Sequence, residues 1–119
     1  MISVTRHRVP DAASAAFLAD AEAALDLLRQ RPGFVSAVVG RATDDAELWL
    51  VATTWADIGS FRRALSPVEV RLGTFALLSS AIDEPTAFER LVGVDGTGLQ
   101  RHGSDRAPDA DSSGPMHVG

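Results

Sequence analysis

LWLVATTWADIGSFRRAL, residues 48–65, reads as a strand that runs directly into a helix. Successive side chains of a strand point to opposite faces, and both faces of this strand are mostly apolar. Leu48, Leu50 and Ala52 lie on one face, and Trp49, Val51 and Trp55 lie on the other. An antiparallel strand with one face in water would carry polar residues on that face. The stretch therefore predicts a strand that is covered on both sides.

The segments around this stretch predict an α+β fold. Strands are expected at residues 2–9, 34–41, 47–55 and 86–92, a long helix at 12–31, and a second helix after Asp57 that is split at Ser66–Pro67. This order, βαββαβ, is that of the ferredoxin-like fold. Right-handed crossovers then place both helices on one face of a four-stranded antiparallel sheet.

Helix signals support this order. Phe17, Ala21, Ala24 and Leu28 fall on one stripe of the first helix. Asp11 and Asp57 are predicted to cap the two helices. SPVE, residues 66–69, matches a capping box with proline at the first helical position, and Val68, Leu72 and Phe75 share a face after it.

The sheet face opposite the helices is predicted to be apolar as well. By strict alternation the second strand carries Phe34 and Val38 on one side and Val35, Ala37 and Val39 on the other. A large exposed apolar patch usually marks an interface. The same face of a second copy is the simplest cover, so we expect a homodimer built by sheet-to-sheet packing.

Composition excludes several functions. The chain has 119 residues and a net charge of −5, which disfavours a nucleic-acid surface. It contains no cysteine and no tyrosine, and all 11 basic residues are arginines, so thiolate chemistry and lysine Schiff bases are excluded. No stretch approaches the roughly 18–20 apolar residues that span a bilayer, and the N-terminus lacks the zones of a signal peptide. We therefore expect a cytoplasmic protein without a membrane partner.

The composition changes near residue 93. Residues 1–93 are predicted to form the folded domain, and Gly, Asp, Ser and Pro make up more than half of residues 94–119. That segment is expected to be a disordered tail or a strap on a neighbouring subunit. GTG, residues 96–98, precedes no helix and is a weak match to a phosphate loop.

Four short motifs occur in order along residues 1–92: PGF at 32–34, WLV at 49–51 followed by Trp55, FR at 61–62, and PTAFE at 85–89. Taken together, they resemble the motifs of antibiotic biosynthesis monooxygenase (ABM) domains. The arginine- and alanine-rich composition is similar to that of high-GC actinobacterial proteins. The resemblance implies a dimeric α+β barrel, in agreement with the homodimer expected from the strand faces.

The resemblance also implies a chemistry. Some family members oxidise aromatic polyketide phenols with O₂ and no cofactor, because the deprotonated substrate supplies the electrons. Their tryptophan at the end of the third strand matches Trp55, but their asparagine on that strand is replaced here by Val51. The histidine that binds iron in haem-degrading members has no counterpart near Leu65 and Ser66. We therefore expect neither a cofactor nor a metal.

Candidate site residues follow from position and chemistry. His7, the one histidine within residues 1–93, is a candidate general base, and Arg62 is a candidate for stabilising developing negative charge. Trp55, Trp49, Ser36, Thr53 and Phe61 are candidate substrate contacts. Each has a plainer interpretation: Trp55 as a core anchor, His7 as a strand histidine, and Arg62 as a solvated residue.

These observations favour a cofactor-independent monooxygenase or oxidase acting with O₂ on a small aromatic, polyketide or quinol-type compound. The alternative is a non-catalytic dimeric domain that binds a hydrophobic small molecule or serves as an interaction module. A lyase or isomerase on the same scaffold also remains open, because a fold does not determine chemistry.

Overall fold

The computed structural model describes residues 1–103, in which residues 1–88 form one compact unit and the residues from Glu89 onward form a second. The first unit contains a four-stranded antiparallel sheet and three α-helices. Its elements are β1 (Ile2–Arg8), α1 (Ser14–Leu28), β2 (Phe34–Arg41), β3 (Leu48–Trp55), α2 (Ile58–Ala64), α3 (Val68–Ser79) and β4 (Ala87–Phe88). The strand order β2-β3-β1-β4 is that of the predicted ferredoxin-like fold.

One face of the sheet, the helix-facing side, is covered by the helices. On β3 it carries Trp49, Val51, Thr53 and Trp55, all of which are buried. The predicted stripe of α1, made of Phe17, Ala21, Ala24 and Leu28, is buried in full. These side chains divide into one core cluster around Trp49 and a second around Trp55, and Leu25 packs against both.

The other face, the open face, is mostly apolar and partly exposed in this single chain. Register pairs Ile2 with Thr54, Val4 with Ala52, and Arg6 with Leu50 on this side. A β-bulge between Phe34 and Ser36 shifts the register of β2. Strict alternation was therefore wrong for this strand: Phe34 lies opposite Trp55 on the helix-facing side, and Val38 lies opposite Ala52 on the open face.

Helix α3 departs from its predicted orientation and cap. Val68, Leu72 and Phe75 share a face, but that face is exposed, whereas Val70, Thr74 and Leu77 are buried. Either stripe is apolar enough to be buried, and packing against α1 selects between them. Gly73 of α3 lies close to Leu27 of α1 at this contact. The predicted capping box does not form, because the Ser66 hydroxyl donates to the Arg63 carbonyl instead.

The other predicted caps have different outcomes. Asp57 caps α2 by accepting a hydrogen bond from the Ser60 N–H at 2.7 Å, as predicted. Asp11 makes no side-chain cap; it opens a 3₁₀ turn, Asp11–Ala13, before α1.

The fourth strand is shorter and less regular than the predicted segment 86–92. Only Ala87 and Phe88 form β4, but earlier backbone also pairs with β1, through a bridge from Ala81 to His7 and a hydrogen bond from the Ile82 N–H to the Arg6 carbonyl. Pro85 lacks the N–H that a continuous ladder would need. The outer edge of β1 is thus covered by two short pieces of chain.

The second unit contains a hairpin that composition did not predict, with β5 (Val92–Asp95) and β6 (Gly98–Arg101) paired in antiparallel. Asp95 closes the turn by accepting hydrogen bonds from the N–H and hydroxyl of Thr97. Asp-Gly at residues 95–96 is a strong hairpin signal, and the GTG sequence is part of this turn. The rest of the predicted tail, residues 104–119, lies outside the described residues.

Candidate active site

A row of polar side chains crosses the helix-facing side of β1. Ser3, Thr5 and His7 alternate with the open-face residues, and all three are buried, His7 completely. Their cross-strand partners on β3 are Thr53, Val51 and Trp49, respectively. Buried polar groups carry a cost unless they are hydrogen-bonded, so the partners of this row determine what it can do.

His7 is hydrogen-bonded through both ring nitrogens. Its Nε2 lies 2.8 Å from Thr5 Oγ1, and its Nδ1 lies 2.9 Å from Ser80 Oγ at the end of α3. The Ser80 hydroxyl donates a hydrogen bond to the Leu77 carbonyl at 2.8 Å, so it accepts a hydrogen bond from the Nδ1–H of His7. The network therefore assigns a neutral imidazole protonated on Nδ1, whose Nε2 accepts from the Thr5 hydroxyl.

The environment keeps His7 neutral. Burial lowers the pKa of His7 below its usual value, and hydrogen bonding to the backbone of Ser80 partly opposes this shift. The ring of Phe17 packs against the imidazole with the centroids 5.0 Å apart. At neutral pH, His7 is thus an uncharged base whose lone pair points along β1 toward Thr5.

Trp49 lies beside His7 on the neighbouring strand. Its ring packs against Phe17 at 5.2 Å, and the Arg41 guanidinium lies over its face at 5.2 Å from the centroid. The indole Nε1 of Trp49 is buried and has no hydrogen-bond partner among the described residues. Buried indole N–H groups usually find an acceptor, so this donor is free for a ligand or a water molecule.

Trp55 is the centre of a second aromatic group at the opposite end of β3. It is completely buried, with Phe34 at 5.3 Å and Phe61 at 5.7 Å between centroids. Its Nε1 donates to Thr53 Oγ1 at 2.8 Å. Three of the candidate substrate contacts, Trp55, Thr53 and Phe61, therefore lie together, while His7 and Trp49 form a separate group farther along the same face.

The remaining two candidates lie away from these groups. Arg62 is exposed on α2, one residue after Phe61. Ser36 is exposed on the open face, where it pairs with Thr54. The bulge that precedes Ser36 decides its side of the sheet.

A groove lies on the open face beside β1. It has a volume of about 400 Å³ and is lined by Val4, Arg6, Glu84, Pro85 and Phe88. Arg6 and Glu84 form a two-pronged ion pair across it, at 2.7 and 2.8 Å. The groove is on the side of the sheet opposite His7.

Sequence reasoning did not select Thr5 or Ser80. Thr5 is recoverable from alternation, because a residue two positions from His7 on a strand shares its face. Ser80 is 73 residues away from His7, and only the fold brings the end of α3 to β1. Within residues 1–103, no cluster of three metal-binding side chains occurs, and no helix is long and apolar enough to cross a membrane.

The fold and this buried row define an α+β ferredoxin-like protein with a histidine inside its sheet–helix interior. The family model for antibiotic biosynthesis monooxygenase matches residues 1–71, more than half of the chain. The chain therefore belongs to the ABM family, as its motifs predicted.

Several solved structures share this fold. A mutant of SnoaB, a cofactor-independent oxygenase from Streptomyces nogalater, is similar with a TM-score of 0.62 and 27% identity, over 76% of this chain and 94% of that chain. Another SnoaB structure is similar with a TM-score of 0.55 and 26% identity, over 76% and 91%. A conserved protein from Methanosarcina mazei shares the fold with a TM-score of 0.59 and 19% identity, over 72% and 84%. No curated protein matches the chain in sequence.

Proposed function

We propose that this chain is a cofactor-independent monooxygenase or oxidase that uses O₂ on a small aromatic, polyketide or quinol-type compound. The observation that carries the proposal is the neutral, fully buried imidazole of His7, which is oriented by Ser80 and directed along the interior face of the sheet. Membership of the ABM family and the similarity to SnoaB favour this class of reaction.

The proposed reaction begins with the removal of a proton. A phenol, quinol or anthrone becomes electron-rich enough to reduce O₂ once it is deprotonated, and a base with a pKa near neutrality suits that step. A quinol that loses two electrons and two protons yields a quinone and reduces O₂ to hydrogen peroxide. An anthrone methylene that becomes a carbonyl takes one oxygen atom from O₂, and the other leaves as water.

The candidate contacts take different places in this proposal. His7 is the base, Trp49, Thr53, Trp55 and Phe61 border the interior where a ring would bind, and dry surroundings protect the anion from water. Arg62 would stabilise negative charge only at the outer side of α2, because it is exposed there. Ser36 lies on the open face and is not part of the proposed interior site.

The test is aerobic turnover of 1,8-dihydroxyanthrone and a panel of quinols, followed by quinone absorbance and corrected for autoxidation without protein. The wild type is expected to form quinone faster than the background. His7→Gln should lower kcat by about 100-fold or more, the usual contribution of a general base. His102→Gln, the same substitution outside the compact unit of residues 1–88, is the matched control and should retain the wild-type rate. No turnover by the wild type across the panel would contradict the proposal.

A second candidate function rests on the open face. Its half-buried apolar side chains and the 400 Å³ groove suit a dimeric domain that binds a hydrophobic small molecule or a protein partner without catalysis. Saturable binding of the aromatic panel without any product would favour this alternative.

We also propose that the open face forms a homodimer, whichever function holds. Val38, 59% exposed on the edge strand β2 of this face, is the natural probe. Sedimentation at micromolar concentration should give a dimer for the wild type and a monomer for Val38→Glu, because a buried unpaired carboxylate is costly. Leu72→Glu, at an apolar residue on α3 that is more exposed still (74%), should leave the dimer intact. A monomeric wild type would refute the proposed dimer.

A further inference from the structure

Two hydrogen-bonding groups on the helix-facing side of the sheet have unused capacity. Thr5 Oγ1 donates its proton to His7 Nε2, and the described residues offer no donor to its remaining lone pairs. Trp49 Nε1 is a buried donor for which residues 1–103 provide no acceptor. One group can receive a proton from a ligand and the other can give a hydrogen bond to it.

The register places these two groups close to each other. Thr5 lies opposite Val51, and Trp49 is two residues from Val51 on the same face. Such diagonal neighbours across antiparallel strands are about 7–8 Å apart, within the span of an aromatic ring and its substituents. Val51, directly opposite Thr5, has no polar group, so beside His7 this part of the face offers Thr5 and Trp49 as polar contacts.

The lone pair of His7 is not directly available to a ligand. Nδ1 is protonated and held by Ser80, and Nε2 is occupied by the Thr5 hydroxyl. A base in this arrangement takes a proton most directly through the hydroxyl that already donates to it. Nucleophile–histidine pairs use the same geometry, with a third group that orients the imidazole.

We propose, resting on the function proposed above, that Thr5 relays a proton from the ligand to His7 and that Trp49 binds a second oxygen of the same ligand. The ligand's hydroxyl transfers its proton to Thr5 Oγ1 as Thr5 passes its own proton to His7 Nε2. The products are a bound phenolate or enolate and an imidazolium whose Nδ1–H remains on Ser80. The substrate class is an aromatic compound with an ionisable hydroxyl and a neighbouring oxygen that accepts a hydrogen bond.

Anaerobic binding of 1,8-dihydroxyanthrone separates this step from reaction with O₂. The wild type at saturation should show the absorption band of the ionised probe at pH 7.5. Thr5→Val keeps the shape of the side chain without its hydroxyl, so it should bind the probe and lose the band by at least about 10-fold. Thr54→Val, the same substitution on the open face, should keep the band. In air, Thr5→Val should lower kcat by about 100-fold with little change in KM.

The role of Trp49 has its own readout. Trp49→Phe removes the indole N–H and should raise the Kd of the probe by about 10-fold, the loss of one hydrogen bond to a ligand, while the bound probe stays ionised. An unchanged Kd would overturn this half of the proposal.

The histidine tautomer tests the relay without any ligand. Nitrogen-15 NMR of labelled histidine should show the neutral His7 ring protonated on Nδ1 in the wild type, and a shift toward the Nε2–H form in Ser80→Ala. An Nε2–H form in the wild type overturns the relay, as does an undiminished ionised band in Thr5→Val or a wild type that neither binds nor ionises the probe. Ionisation through Thr5 without quinone in air would instead contradict the proposed oxidation and leave the relay standing.

Discussion

Replacing Gly33 by alanine should destabilise the protein through two separate effects. Gly33 has φ of +87°, in the left-handed region, where an alanine costs about 1–2 kcal/mol. A Cβ at this residue would also overlap the Cβ and Oγ of Ser60 on α2, and overpacking of this kind costs about 1–3 kcal/mol. Stiffening of the unfolded chain returns up to about 1 kcal/mol. The expected net loss in the free energy of unfolding is therefore about 1–5 kcal/mol.

The measurement is urea unfolding, followed by tryptophan fluorescence and circular dichroism at the same protein concentration. Gly33 lies beside Phe34, whose ring contacts Trp55, and its carbonyl accepts a hydrogen bond from the Ala56 N–H at 2.7 Å. Displacement of this turn should therefore also change the tryptophan emission of the folded state.

Gly40→Ala is the matched control. Gly40 has no atom within 4 Å of its added Cβ and no positive φ, so its substitution should change stability by less than about 0.5 kcal/mol. A Gly33→Ala variant that is as stable as the Gly40→Ala variant would refute both the strain at residue 33 and the close approach to Ser60.

Three further predictions test other parts of the structure. Burial lowers the pKa of His7, so as the pH falls the unfolded chain takes up a proton at this residue before the folded chain does. The contribution of His7 to stability is therefore constant above about pH 6.5 and is lost below it. Urea unfolding from pH 7.5 to 5.5 should show a steeper decline in the free energy of unfolding for the wild type than for His7→Gln. Leu77→Ala should lower the free energy of unfolding by about 2–5 kcal/mol because Leu77 is 3% exposed, whereas Leu72→Ala, at a residue that is 74% exposed, should change it by less than about 0.5 kcal/mol. Equal losses in thermal unfolding would contradict the assigned orientation of α3. Asp57→Ala removes the N-cap of α2 and should cost about 0.5–2 kcal/mol in the same assay, and no loss would show that the cap is not needed.

Only part of the site could be predicted from the sequence. Alternation placed His7 on the opposite face from Ile2 and Val4, but it could not tell which face the helices cover. The hydrogen bond from His7 to Ser80 depends on α3 ending beside β1, a contact between residues 73 positions apart. The His7–Trp49 group is separate from the Trp55–Phe61 group because Trp49 and Trp55 lie near opposite ends of β3. The choice of candidate residues by type did not predict this separation.

The order of elements, the buried stripe of α1 and the family could be predicted without a structure, because they depend on local periodicity and on motifs within short segments. The buried stripe of α3 could not, since Val68–Leu72–Phe75 and Val70–Thr74–Leu77 both recur at helical spacing and packing against α1 selects one. The bulge in β2 likewise reversed the faces that alternation assigned after Phe34. In regular elements such as α1, local patterns specify which residues share a face; an irregularity such as the β2 bulge changes that pattern, and long-range packing specifies what each face touches.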